Sequence, residues 1–186
     1  MVTRIEPLLT IADLDATPDD GNRYELIEGE LFVSRAPSIT HQRIIQNFQI
    51  VIVPYLARNP IGILVPGAGI IFNDINGVIP DLVFVREERR LQIASGEKFT
   101  GAPDLVVEVM SPGKENRQRD LVIKRQLYGR LGVEEYWIVD PENCAVEVYR
   151  LHQQSLEKIA VLTNQDEITS PLFPGLQIKV QEVFKL

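Results

Sequence analysis

A chain of 186 residues, 45% apolar and 24% charged, has the size of one domain and enough apolar material for a core. No apolar run approaches the ~20 residues that span a bilayer, and a single cysteine, Cys144, excludes an intrachain disulfide and argues against a cysteine-based zinc site. The net charge of −7 speaks against broad nucleic-acid binding, but it is unevenly spread: residues 86–130 carry net +3, the flanking stretches −5 each.

The N-terminus lacks a secretory pattern, which suits a cytoplasmic protein. One domain over residues 1–186 is expected, with 1–22 as a lead-in and loop. YELIEGELFVS alternates around Glu28-Gly29 and predicts a hairpin. Ser38 can cap a helix to Arg58, with Ile44, Ile45, Phe48, Val51, Ile52 and Tyr55 at helical spacing; Pro54 should kink or shorten its end. IGILV, AGIIFN and GVIPDLVFV read as strands, the last two joined by a turn at Asn76-Gly77. Residues 87–100 read as a polar loop or short helix. APDLVVEVM is an apolar strand stopped by Ser111-Pro112-Gly113, and 115–131 a helix ending near Gly132. EEYWIVD, CAVEVYRL and EKIAVLT follow as strands, then a tail with a final strand or helical turn. The order predicts a mixed sheet with helices packed on it.

Three charged residues stand where core is expected. Glu108 interrupts the apolar run 105–110, and an unpaired buried carboxylate is costly unless it is paired, protonated or metal-bound. By alternation it shares a face with Asp104, Val106 and Met110. A frayed strand end or a structural salt bridge would also explain it. Asp81 interrupts 78–85 in the same way; after Pro80 it could equally be a turn residue. Lys124 falls at about 300° on a helical wheel started at Leu121, inside the stripe of Leu127, Tyr128 and Leu131. It either extends to water along its stem or points at a buried acidic site. Two carboxylates suit Mg²⁺ or Mn²⁺, and a lysine beside them suits developing charge on a phosphoryl group.

Other motifs fall away. Gly-Ala-Gly at 67–69 has no P-loop lysine, no GxSxG elbow exists, and His41 and His152 lack ligand spacing. Tyr136 and Trp137 sit in an apolar strand and read as core.

The stretches YELIEGEL, APSITHQRI, IPDLVFV, GAPDLVVEVMSP, KRQLYGRLGVEEYWIVDP and VEVYRL, in this order and spacing, resemble the Uma-type family, whose members carry the label restriction endonuclease by fold. The resemblance runs from about Tyr24 to the C-terminus. It implies the PD-(D/E)xK nuclease superfamily: an α/β (α+β), restriction-endonuclease-like core with a mixed β-sheet flanked by helices. It makes Asp81 the acid of the PD element and Glu108 that of (D/E)xK, together the metal-binding pair for Mg²⁺ or Mn²⁺. The next lysine slot holds Met110, so Lys124 from the following helix is the expected replacement, with Gln126 a weaker substitute. The family's N-terminal glutamate is assigned to Glu30, with Glu25 and Glu28 as neighbours. His41 matches a family histidine and is expected as a proton shuttle or phosphate contact, or as a plain surface or capping group.

The expected activity is metal-dependent hydrolysis of DNA phosphodiesters. DNA would be held weakly by a local basic patch of Lys114, Arg117, Arg119 and Arg125, and a homodimer is expected by analogy. The alternative is an inactive nuclease-fold protein that binds nucleic acid or protein. A dimerisation module built on the C-terminal strands would leave Glu108 and Lys124 without a reason.

Overall fold

The computed structural model describes residues 7–113 and 117–185. The lead-in is more ordered than its composition suggests. Thr10 is the N-cap of a short helix, α1 (Ile11–Asp15), and its N–H and hydroxyl both donate to Asp13 Oδ2 at 2.8 Å, as in a capping box. Strands β1 (Arg23–Ile27) and β2 (Glu30–Ser34) form the expected hairpin. Both turn residues have positive φ, 53° at Glu28 and 77° at Gly29, as the tight two-residue hairpin turn requires.

Helix α2 (Ile39–Arg58) begins where expected: Ser38 Oγ accepts the backbone N–H of His41. It continues past Pro54 to Arg58, so the proline does not shorten it. Strand β3 (Gly62–Pro66) precedes a second hairpin, β4 (Ile70–Asn73) and β5 (Asn76–Val78). Here the turn is Asp74-Ile75, and Asn76-Gly77 lie within β5. Asn76 is spent on side-chain bonds to the Glu28 N–H and Asn73 Oδ1. Gly77 is small for packing: a Cβ there would stand 2.6 Å from Ile11 Cδ1.

The run GVIPDLVFV is two strands. It breaks at Ile79-Pro80-Asp81, and β6 (Leu82–Arg86) continues in another sheet. Helix α3 (Glu87–Ile93) and the short strands β7 (Ala94–Ser95) and β8 (Lys98–Phe99) follow, then β9 (Leu105–Val109). A π-helical segment, Arg119–Lys124, continues as α4 (Arg125–Leu131) and ends on Gly132 in the left-handed conformation. Next come β10 (Glu135–Asp140), β11 (Ala145–His152), β12 (Ser155–Leu162), the small pair β13 (Glu167–Ile168) and β14 (Ile178–Lys179), and α5 (Val180–Val183).

The central sheet has the order β12-β11-β10-β9-β6-β3. Only β9 and β10 are parallel in it, and the helical segment between them is their crossover. A second sheet, β2-β1-β5-β4-β8-β7, was not foreseen.

The alternation of β6 and β9 divides the core in two. Leu82, Phe84, Leu105, Val107 and Val109 face α2 and the C-terminal tail. Val83, Val85, Val106 and Met110 face α4 and the second sheet. Asp81 and Glu108 have the parity of the second set, so both carboxylates face the α4 side.

Candidate active site

Sheet register brings the first two acids together. Leu82 pairs with Val107 across antiparallel β6 and β9. The ladder ends there, and the adjacent residue, Asp81, is held beside Glu108 because its Oδ2 accepts the Val109 N–H at 2.8 Å. The strand break at Pro80 leaves Asp81 just before the start of the interior strand β6, beside a cleft of about 640 Å³. That cleft is walled by the β2–α2, β9–helix and β10–β11 loops, which contribute Pro37, Pro112 and Pro141.

Lys124 enters from the π-helical segment. Its Nζ lies 2.9 Å from both Glu108 Oε1 and Glu25 Oε1. The side chains are nearly sealed, at 2% exposure for Lys124, 3% for Glu25 and 5% for Glu108. Tyr128, one turn further along the helix, donates its hydroxyl to Glu108 Oε1 at 2.9 Å. Tyr136 O–H donates to the Asp120 carbonyl at 3.1 Å, inside the π segment. Such wide turns recur at functional sites because they re-aim side chains that a regular helix would place elsewhere.

The glutamate from the N-terminal hairpin is Glu25, not Glu30. Ile27 pairs with Glu30 and Glu25 with Phe32, so Glu30 and Glu25 share a face. Glu30, however, lies by the turn, two residues along the strand from the site, and is exposed. The Ile79 N–H donates to Glu25 Oε1 at 2.9 Å, fixing the carboxylate in place.

Asp81 has its own partners. Oδ2 accepts the Val109 N–H at 2.8 Å. Oδ1 lies 3.0 Å from Arg23 Nη1 and 3.0 Å from His41 Nε2. His41 Nε2 is within ion-pair range of Asp81 but off the line of a hydrogen bond, and it has no hydrogen-bond partner among the described residues.

Burial and charge then set the proton affinities. Burial pushes the Glu108 carboxyl up to about 8; Lys124 opposes this, while Asp81, Glu25 and Asp120 add to it. The extra proton belongs to the cluster more than to one oxygen. Burial alone would discharge Lys124, but Glu108, Glu25 and Asp120 outweigh it and hold the ammonium above its ordinary range. Burial also raises Asp120. For Asp81 burial is overcome by His41, the Val109 N–H and Arg23, so this carboxylate is held below its usual range.

Three expected residues, Asp81, Glu108 and Lys124, therefore converge, and His41 joins them. Met110, in the slot where the motif places lysine, is buried among apolar side chains. Gln126 is exposed and does not line the cleft.

The basic patch is only partly realised. Arg117 and Arg119 line the cleft, but Arg117 pairs with Asp140 at 3.0 Å and Arg119 with Asp120 at 3.1 Å. Arg125 instead stands over the Tyr149 ring of β11, 5.4 Å from its centroid. Lys114 lies outside the described residues.

Arg23, Asp120 and Tyr128 were missed. Each had a faint signal: Arg23 is two residues before Glu25 on a strand, and Asp120 and Tyr128 lie four residues either side of Lys124.

Among the described residues no three His, Cys, Asp or Glu side chains are placed to share a metal. Asp81 and Glu108 still form a two-carboxylate oxygen set. Such a set fits a hard cation that keeps several of its waters. Elsewhere, Asp104 is a structural acid: it is buried, and pairs with Arg86 at 2.7 Å and Arg89 at 3.1 Å. No described helix is long and apolar enough to cross a membrane.

A solved structure described as a "putative nuclease belonging to DUF820", from Anabaena variabilis, superposes with a TM-score of 0.80 at 21% identity, covering 95% of this chain and 97% of that one. At that identity the likeness speaks for the fold, which is the expected mixed sheet flanked by helices. A search of curated proteins gives no match. The family model of Uma2, described as "Putative restriction endonuclease", matches residues 11–181, from α1 to α5 and across every strand that carries a site residue. The chain belongs to the Uma2 family.

Proposed function

We propose that this protein is a metal-dependent endonuclease that hydrolyses DNA phosphodiester bonds. The observation that carries the reading is the buried constellation at the cleft floor: Asp81 bonded to the Val109 N–H beside Glu108, with Lys124 Nζ 2.9 Å from the Glu108 carboxylate.

Asp81 and Glu108 would hold a Mg²⁺ or Mn²⁺ ion, which supplies a polarised phosphate and a bound water of lowered pKa. Lys124, locked by two glutamates and kept charged, presents a fixed ammonium toward the negative charge that develops on the phosphoryl oxygens. Tyr128 and the Ile79 N–H keep Glu108 and Glu25 from rotating. His41 is within reach of Asp81 Oδ1 and of the cleft, where an imidazole can pass a proton to solvent. Water adds to phosphorus, one P–O ester bond breaks, and the leaving oxygen takes a proton. Two copies acting together would sever both strands.

A second reading, a nuclease fold kept for binding alone, is favoured by one feature: the site acids are paired internally, Asp81 with Arg23 and Glu108 with Lys124.

The test is incubation of purified protein with plasmid and single-stranded DNA in Mg²⁺, Mn²⁺ or EDTA. Cleavage should require metal and fall by about 10²-fold or more in Asp81→Asn, Glu108→Gln and Lys124→Met. Cleavage that survives EDTA or Asp81→Asn refutes the metal site. No cleavage by wild type under any condition favours the binding reading.

A further inference from the structure

We propose that Arg23 is an exchanging residue. In the free protein its guanidinium takes the place of the cation on Asp81; when the cation binds, Arg23 passes to a phosphate of the bound strand. This rests on the nuclease reading above and adds to it a binding residue and an order of events.

Arg23 Nη1 lies 3.0 Å from Asp81 Oδ1 and donates to the Ile79 carbonyl at 3.2 Å. The other Asp81 oxygen is committed to the Val109 N–H. A cation that ligates Asp81 through Oδ1 therefore competes there with the arginine, and with His41 Nε2, which also lies 3.0 Å away. The partners differ in freedom: 28% of the Arg23 side chain is exposed, against 2% for Asp81. Arg23 lines the cleft and can turn into it without unpacking the core, whereas Asp81 cannot follow.

Other cations of the cleft floor are held differently. Lys124 is bound to two glutamates and Arg119 to its neighbour Asp120. Lys124 also touches a candidate ligand, Glu108, but it is nearly sealed, whereas Arg23 pairs with a candidate ligand and keeps 28% of its side chain exposed. Once released, a half-buried guanidinium needs an anion, and its planar fork of N–H donors matches phosphate oxygens. Cation and phosphate would then favour each other's binding, and the coupling must be reciprocal.

The experiment is a Mn²⁺ titration of the metal-free full chain, followed by the electron paramagnetic resonance of the free ion. It is run with and without a short single-stranded oligonucleotide. Arg23→Met should tighten Mn²⁺ binding by roughly tenfold, and should lose most of the gain in oligonucleotide affinity that Mn²⁺ brings to the wild type. Arg119→Met removes an equal charge that does not touch Asp81, and should shift Mn²⁺ binding much less. Unchanged or weaker Mn²⁺ binding in Arg23→Met overturns the exchange, as does an equal tightening in Arg119→Met. Asp81→Asn separates the two levels. Loss of Mn²⁺ there with no change in Arg23→Met defeats the exchange alone; wild-type Mn²⁺ binding in Asp81→Asn defeats the nuclease site as well. Should Arg23→Met fail to fold, Arg23→Lys, which keeps charge but loses the fork, is expected to lie between wild type and the values above. Wild-type coupling in that variant overturns the role of the fork.

Discussion

Replacing Lys124 by methionine removes the one cation that both buried glutamates share while keeping most of its stem volume. Each Oε1 is 2.9 Å from Nζ, so the two oxygens are at most twice that distance apart. Two ionised carboxylates at that separation repel by about 3 kcal/mol at an effective dielectric of ~20. Loss of one partner from a buried ion pair typically costs about 3–5 kcal/mol, and the two figures agree in size. The cost should depend on pH. Between its ordinary 4.5 and about 8, Glu108 holds in the folded chain a proton that the unfolded chain has released. Its contribution to stability therefore falls as pH rises through that window and levels off above it. Without Lys124 the carboxyls are raised further, so the loss extends to higher pH. Urea unfolding at pH 6 and pH 9 should show Lys124→Met destabilised by about 3–5 kcal/mol at pH 9, and by less at pH 6. A loss below about 1 kcal/mol at pH 9, or an equal loss at both values, would refute the shared-cation account.

Two further outcomes follow from placement. Glu25→Gln should lower DNA cleavage by about tenfold or more, whereas Glu30→Gln, an exposed change near the hairpin turn, should leave cleavage intact and stability within about 0.5 kcal/mol; equal effects in a nuclease assay would reverse the assignment. Asp104→Asn breaks the pairs with Arg86 and Arg89 and should cost about 3–5 kcal/mol in thermal or urea unfolding while leaving Mn²⁺ affinity unchanged; altered Mn²⁺ binding would place Asp104 in the site.

The main residues of the candidate site were legible because each violates its local pattern. A carboxylate inside LVVEVM, another inside VIPDLVFV and a lysine on an apolar stripe are costly to bury, and such costs mark either a fault or a function. Hairpin β1–β2 and the Ser38-capped helix were equally plain, since turn chemistry and capping are short-range effects.

What stayed hidden depends on partners distant in the chain. Whether Glu25 or Glu30 enters the site is decided by which end of a hairpin meets Ile79 and Lys124, a contact spanning 54 and 99 residues. Asn76-Gly77 read as a turn because local chemistry allows it; the structure instead uses the missing Cβ to admit Ile11 and moves the turn to Asp74-Ile75. The same holds for the run through Pro80, which the chain divides between two sheets, leaving Asp81 just before the start of an interior strand. The basic patch is only partly realised because Asp140 and Glu142 come back to pair with Arg117, while Arg119 is taken by its chain neighbour Asp120. Residue type and local spacing, by themselves, determined which side chains are too costly to be mere core. Only the tertiary structure, through strand register and long-range pairing, decided which of them meet and which charges remain uncompensated.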